Sequence, residues 1–363
     1  MFPSDGEAEA VSLETAGPGD VGRIAVFLSG FEGESRPLDF WHRRLQLWWE
    51  LNPAWEEGLS GGWMLVHDEQ VVGFWGNLPF RLKAPDGQIL RANAASTWRV
   101  SPDHRSHAMR LFSASRSYAT SEPLFHCTSN ALITEMLTAR RTPKVPPAWT
   151  GTRVYYSGLA EKVTEGLSNP YLRHLTSRAG LLLRRIHRGA MPGLPTGCEV
   201  RELLAPCKAV DELWERTKNR PVLTRVRGSK ELAWSLSDLG SDRKFALGYF
   251  ERDRLEGYGL FRMRKDEKGA YVEGLDFWES PEREQSTLPA LTAHALAEAR
   301  QNGWRKVIVP DYGGKLAAVR HPDYLSVSDP GLPDRFVHWP SALGEFPTAD
   351  RTYFTLAEGD AGF

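Results

Sequence analysis

Apolar residues recur at spacings that predict alternating strands and helices in the first half of the chain. Trp41, Leu45 and Trp48 lie three or four residues apart, as in an amphipathic helix, whereas residues 62–83 alternate as a β-hairpin does around a turn at 67–70. The predicted order is a strand near 9–15, helices near 19–31 and 37–52, the hairpin 62–83, a strand at 88–102, a strand-to-helix junction at 100–117, a strand at 123–130 and a helix at 131–141. A helix between two strands that can pair in parallel indicates a mixed α/β domain.

The same order of elements returns in the second half. It comprises a strand at 197–205, helices at 208–219 and 229–239, a hairpin at 244–264, a strand at 269–280, a helix at 286–304 and a strand at 306–310. This repeat predicts an α/β fold of two similar lobes. We place the N-terminal lobe at 1–150, a basic helical linker at 151–195 and the C-terminal lobe at 196–363.

Composition narrows the classes of function. The 363 residues include 45 Lys+Arg and 46 Asp+Glu, a formal net charge of −1, so no overall field favours DNA and any anion site must be local. Three scattered cysteines are too few for a disulfide framework or a closed zinc site, so we expect no metal and a reducing, cytoplasmic environment. No apolar run reaches the length that a membrane span requires, and we expect no secretory leader.

The junction "VSPDHRSHAMRLF" suits an anionic ligand. A strand that ends at a turn before a helix leaves backbone N–H groups at the positive end of the helix dipole, where phosphate binds readily. Arg105 in the turn and Arg110 in the helix add guanidinium groups for a diphosphate. The alternative is a solvated basic helix that is merely capped by Ser101 or Asp103.

At this point the sequence resembles the GNAT superfamily of acyl-CoA-dependent N-acyltransferases, including its two-lobed bacterial members. "VVGF" at 71–74 is similar to the third strand of the family, and "WRVSPDHRSHAMRLF" is similar to the fourth strand with its pyrophosphate loop, opening V-x-P-x-x-R. "LFHCTSN" and Asn130 stand where the family has its fifth strand and a following asparagine. Ala108 and Arg110 stand at the two positions where the family's loop signature has small residues.

The resemblance implies where an acyl-CoA, most simply acetyl-CoA, would bind. The fourth and fifth strands would separate around the pantetheine arm, with a fourth-strand amide polarising the thioester carbonyl and the loop amides facing the diphosphate. The implied cofactor contacts are Trp98, Arg99, Val100, Arg105, Ser106, His107, Ala108, Met109, Arg110 and Asn130. The segment after strand 269–280 lacks a comparable basic loop, so we assign acyl-CoA to the first lobe and the acceptor to the cleft between the lobes.

Candidates for proton transfer are sparse. His126 on the predicted fifth strand is a candidate base, and its alternative is a structural histidine. The family's tyrosine after this strand has no counterpart in 132–136, so Ser129 or a water would serve the leaving thiolate. In the second half, Glu273 and Asp276 lie among apolar residues that would raise a carboxyl pKa, and we select Glu273 as a catalytic candidate; a paired surface carboxylate is the alternative.

Two further segments bear on the acceptor. "GFWGNLPF" combines Trp75 and Asn77 with two glycines and Pro79 in a strand, so this segment either lines the acceptor cleft or is a bulge that curves the sheet. Residues 171–189 combine arginines with leucines and no acidic residue, which suits an anionic membrane surface, a lipid-linked substrate or RNA, or else a solvated helix between lobes.

Together these features predict an acyltransferase that moves an acyl group from acyl-CoA to a primary amine of a small molecule, amino sugar or peptide. One alternative is a Fem-like transferase that uses aminoacyl-tRNA, with 171–189 on the RNA. The other is a catalytically silent GNAT-like binding module.

Overall fold

The computed structural model describes residues 11–127, 129–157, 193–204, 207–237, 239, 242–283, 285–319, 324–329 and 334–357. The predicted basic helix at 171–189 lies outside them.

The described helices and strands follow the predicted order with a few additions. The helices are α1 (Val21–Ser29), α2 (Leu38–Trp48), α3 (Ala108–Tyr118), α4 (Ala131–Ala139), α5 (Lys208–Thr217), α6 (Ser229–Ser235) and α7 (Thr287–Gln301). The strands are β1 (Ser12–Ala16), β2 (Gly62–His67), β3 (Gln70–Lys83), β4 (Ile89–Val100), β5 (Leu124–His126), β6 (Thr152–Tyr156), β7 (Cys198–Glu202), β8 (Leu223–Arg225), β9 (Lys244–Glu251), β10 (Arg254–Asp266), β11 (Gly269–Glu279), β12 (Lys306–Pro310), β13 (Leu325–Asp329), β14 (Phe336–His338) and β15 (Thr352–Tyr353). Among the described helices, none is both long and apolar enough to cross a bilayer.

The strands form two mixed sheets. Sheet 1 has the order β1-β2-β3-β4-β5-β14, with β8 and β15 joined to the far end of β3, and sheet 2 has the order β13-β6-β12-β11-β10-β9-β7. The predicted parallel pairs are confirmed, since β4 runs parallel to β5 across α3, and β11 runs parallel to β12 across α7. The predicted two-lobed α/β architecture is therefore confirmed.

Residue alternation along β3 explains how sheet 1 is covered on both faces. Phe74 packs in one core cluster with Ile24 and Trp48 from α1 and α2, whereas its neighbour Trp75 packs in another with Phe112 of α3. Successive strand residues point to opposite faces, so a continuous apolar run is buried on both sides. Sheet 2 repeats the arrangement, with α7 and α5 contributing to its two clusters.

The two sheets exchange strands. β6 lies in sheet 2, where it pairs antiparallel with β12 and β13. β14 lies in sheet 1, where it pairs antiparallel with β5. The sheets therefore do not divide at 150 and 195, because residues predicted as linker supply a strand of sheet 2 and residues predicted as C-terminal lobe supply a strand of sheet 1.

Candidate acyl-CoA site

Strands β4 and β5 separate shortly after they meet. They pair only at Asn93 with Leu124 and at Ala94 with Phe125. Beyond this point β4 continues to Val100, whereas β5 ends at His126. The gap opens into a cavity of about 480 Å³, a size typical of small-molecule sites. Its wall comprises Phe31, Trp75, Ala95, Ser96, Thr97, Trp98, Arg99, Val100, Arg105, Ala108, Met109, His126, Ser129, Asn130, Leu132 and Ile133.

A β-bulge shapes the β4 side of this cavity. The ladder between β3 and β4 shifts register between Phe74 and Gly76, and Thr97 adopts a left-handed φ of 52°. Such a bulge leaves extra residues on one strand and redirects them. Trp75, opposite the bulge, packs against Trp98 with ring centroids 5.1 Å apart. The bulge thus turns this part of β4 toward the gap.

The ladder also fixes the direction of one backbone amide. Ser101 N–H donates to the Val72 carbonyl at 2.8 Å, which makes the neighbouring Val100 and Gly73 a non-hydrogen-bonded pair. The N–H and C=O of Val100 therefore point away from β3, toward the side on which β5 has separated. Val100 is one of the three residues, 98–100, that sequence analysis selected as thioester contacts.

The strand-to-helix junction is more tightly folded than the sequence predicts. Residues Pro102–His107 form a 3₁₀ turn before α3, in which the Ala108 amide donates to the Arg105 carbonyl. That amide is thus used internally. Arg105 is exposed and lies in the cavity wall. The junction offers a guanidinium and a helix N-terminus rather than a full row of loop amides.

The structure separates the predicted cofactor contacts into two groups. The wall includes Trp98, Arg99, Val100, Arg105, Ala108, Met109 and Asn130 but not Ser106, His107 or Arg110. Arg110 instead donates to the Val11 carbonyl at 2.7 Å. Asn130 accepts from the Ile133 amide at 2.9 Å, so its side chain caps α4. Arg99 pairs with the buried carboxylate of Glu34 at 2.9 Å, which ties the α1–α2 loop to the wall.

Two wall residues, and a third residue in ring contact with one of them, carry buried polar atoms with no partner among the described residues. They include Trp75 Nε1, His126 Nε2 and His338 Nε2. His126 is buried, and its ring lies 6.0 Å from that of Trp75. Since a buried polar atom without a hydrogen bond is costly, such a cluster is typical of a surface that binds a polar ligand. Sequence analysis found two of these residues and missed His338.

Asn77 does not line the cavity as predicted. It pairs with Ala95, a wall residue, but its own side chain is fully buried and absent from the wall. Both amide atoms lack a partner among the described residues. Ser129, by contrast, lies in the wall beside His126.

Several solved structures share this fold. A GCN5-related N-acetyltransferase from Anabaena variabilis superimposes with a TM-score of 0.55 at 9% identity, covering 90% of this chain and 72% of that one. A conserved protein from Enterococcus faecalis, described as a probable N-acyltransferase, gives 0.52 at 10% identity with the same coverage. The chain has the GNAT N-acyltransferase fold. No family model matches the sequence, and neither does any curated protein.

The second GNAT lobe has the same strand divergence, but aromatic rings occupy it. β11 and β12 pair only from Tyr271 to Glu273, and β11 has a register shift of the same kind opposite Leu260. Beyond that point Tyr353 donates its hydroxyl to the Phe277 carbonyl at 2.7 Å and stacks on Tyr312. The rings thus bridge β11 and the segment after β12.

The predicted catalytic Glu273 lies in this second lobe, apart from the cavity. Arg262 donates to its carboxylate at 2.9 Å on the adjacent strand. Asp276 is not a surface carboxylate, because it is buried in an ion pair with Arg227. Neither group lines the first-lobe cavity, whereas His126 and Ser129 do.

The two histidines at the cavity make the stability of this GNAT fold sensitive to acid. Burial, with His338 nearby, lowers the pKa of His126 to about 3, and burial together with the charges of Arg116 and Arg140 lowers that of His338 to about 4. Below pH 6.5 the unfolded chain takes up protons at these positions while the native state does not, so the free energy of unfolding should fall between about pH 6.5 and pH 4.

Urea denaturation at pH 7 and pH 5 measures this effect. The loss between the two pH values should be smaller in His126→Phe than in the wild type. The exposed His42→Gln variant serves as control and should keep the wild-type loss. An unchanged loss in His126→Phe would show that His126 protonates as readily in the native state as in the unfolded chain.

Proposed function

We propose that the chain transfers an acyl group, most simply acetyl, from acyl-CoA to a primary amine on a small molecule, amino sugar or peptide. The observation that carries this proposal is the gap between β4 and β5, with a wall that joins a basic junction to buried, unpartnered polar atoms. When bound there, acyl-CoA would supply the activated acyl group as a thioester. A chain with only three cysteines, Cys127, Cys198 and Cys207, suits a cytoplasmic enzyme.

The residues present fit such a molecule along the length of the gap. Arg105 would pair with the diphosphate at the mouth, next to the first turn of α3. Apolar side chains of Met109, Leu132 and Ile133 would flank the pantetheine arm. The N–H of Val100 would donate to the thioester carbonyl, because it faces the gap. A donor fixed by the sheet requires no reorganisation, which is the basis of electrostatic catalysis.

Proton transfer would fall to the inner end of the cavity. The acceptor amine must lose a proton to become acylated, and His126 is the buried imidazole in the wall. Burial lowers the pKa of His126, which keeps the imidazole neutral near pH 7 and makes it a weak base, so it would pass a proton on rather than hold it. Trp75 would orient the acceptor through its unpartnered indole N–H. Holding both substrates in one cavity supplies the orientational part of the acceleration.

Ligand-induced stabilisation tests where acyl-CoA binds. At a concentration 100 times its Kd, acetyl-CoA should raise the free energy of unfolding by about 2.7 kcal/mol, measured as a thermal shift. Arg105→Glu should weaken binding by about 10- to 100-fold, because it replaces a charge-assisted contact with repulsion. Lys208→Glu, at an 89% exposed side chain in the second lobe, is the matched charge reversal and should leave the shift unchanged.

The same assay with longer acyl-CoAs and free CoA would compare how strongly the protein binds each acyl length. A separate assay of CoA release with a panel of amines would measure turnover. Tight binding without CoA release for any amine would favour a silent module. Salt-sensitive binding of tRNA without a response to acyl-CoA would favour the aminoacyl-tRNA alternative. A full thermal shift in Arg105→Glu would place the diphosphate elsewhere.

A further inference from the structure

The exchanged strand β14 brings a second histidine to the cavity from a distant part of the chain. Phe336 pairs with His126 and His338 pairs with Leu124, so β14 lies directly beside the strand that carries the candidate base. The rings of His126 and His338 meet edge to face, with centroids 5.2 Å apart and an interplanar angle of 83°. More than 200 residues separate them in sequence.

The two rings differ in their exposure to solvent and in the charges near them. His126 is buried in the cavity wall, whereas His338 is only partly buried. Both Nε2 atoms lack a partner among the described residues. The charged groups that face His338 are Arg116 of α3 and Arg140, which follows α4. Asp334, in the segment that leads into β14, pairs with Lys144 at 2.7 Å. The pair thus runs from the cavity toward solvent past two cations.

We propose that His126 and His338 form a proton path that carries the proton of the acceptor amine from the cavity to solvent. This inference rests on the proposed acyltransferase function. It assigns a role to His338 that the GNAT-like motif at 98–110 does not indicate. Each neutral imidazole has one acceptor nitrogen and one N–H donor, and both are needed for a ring to pass a proton on. Because the rings meet edge to face and neither Nε2 atom has a hydrogen-bond partner among the described residues, the proton would pass between them through a bridging water.

The step balances as a proton transfer alone. The amine N–H bond breaks as an N–H bond forms on His126, and a proton leaves the opposite nitrogen of that ring for His338. His338 then releases a proton to water, and both rings recover their starting tautomers by exchange with solvent. Burial and the positive charges of Arg116 and Arg140 disfavour protonated His338, so this ring would carry the proton only transiently.

Kinetics of His338 variants test the path. The full-length protein would be assayed for CoA release from acetyl-CoA with the amine that the wild type acylates fastest. His338→Phe keeps a ring against His126 but cannot carry a proton, and it should lower kcat by about 10-fold or more with KM for acetyl-CoA within about 2-fold. His338→Ala should be rescued in part by added imidazole, which a purely structural role would not predict. The exposed His42→Gln variant is the control.

Each other outcome has a distinct meaning. Wild-type kcat in a stably folded His338→Phe variant would overturn the path while leaving the acyltransferase function intact. If the wild type acylates no amine, the proposed function fails, and nitrogen-15 NMR of the two rings then tests their coupling without an acceptor. If the two rings titrate independently, and His338→Phe leaves the titration of His126 unchanged, the proposal is overturned in that case as well.

Discussion

Replacing Ala95 with phenylalanine should abolish acyl-CoA binding, with a loss of affinity of about 100-fold or more. Ala95 is the first residue of β4 beyond the last ladder pair with β5, and it lies in the cavity wall. A benzyl group there would fill the space between the strands and exclude a ligand by steric overlap. Isothermal titration with acetyl-CoA and free CoA would measure the effect.

The Ala95→Phe variant should lose little stability, because the gap has room for the larger side chain. Overpacking a filled core costs about 1–3 kcal/mol, but Ala95 faces open space, so the unfolding midpoint should change little. Ala95→Ser, which leaves the gap open, is the matched control and should bind as the wild type does. Binding that survives in Ala95→Phe would show that the ligand does not lie between β4 and β5.

Replacing Asp276 with alanine should lower the free energy of unfolding by about 3–5 kcal/mol. Arg227 donates to its carboxylate at 3.0–3.3 Å, and Thr355 donates at 2.8 Å. The side chains of Arg227 and Asp276 are 0% and 2% exposed. Removing the carboxylate leaves a buried guanidinium without its counter-ion, and urea denaturation would measure the loss.

Two further variants separate this charge effect from lost packing. Glu212→Ala breaks the exposed pair with Lys208 and should cost less than about 1 kcal/mol. The double variant Arg227→Met with Asp276→Leu removes both charges and should recover much of the stability that Asp276→Ala loses. If the double variant is no more stable than Asp276→Ala, hydrogen bonds or shape rather than an unpaired charge determine the loss.

Local sequence signals were sufficient for most of the fold and for the mouth of the site. The turn at 67–70 adopts left-handed φ at Asp68 and Glu69, as a two-residue hairpin requires. The strand-helix-strand unit from β4 to β5 followed from periodicity and a proline-aspartate turn. Arg105 and His126 were predictable because a junction and a strand end are local features.

The strand exchange and the other half of the site depend on contacts between segments that are distant in sequence, and no local pattern predicts such contacts. β6 and β14 have five and three residues, and each pairs only with strands that lie far away in sequence. His338 was missed for that reason. Apolar neighbours in a strand also do not reveal that Arg262 lies opposite Glu273 on β10. The bulge at Thr97 likewise could not be predicted locally, because it depends on how β4 pairs with β3.

The exchange of β6 and β14 has a consequence for synthesis of the chain. The edge of sheet 1 beside β5 stays open until residues 336–338 have left the ribosome, since no earlier segment of the described chain pairs with β5 on that side. Such a high contact order slows folding, and an exposed strand edge invites association between nascent chains. The two lobes are therefore expected to reach their native state together, after translation, rather than one after the other.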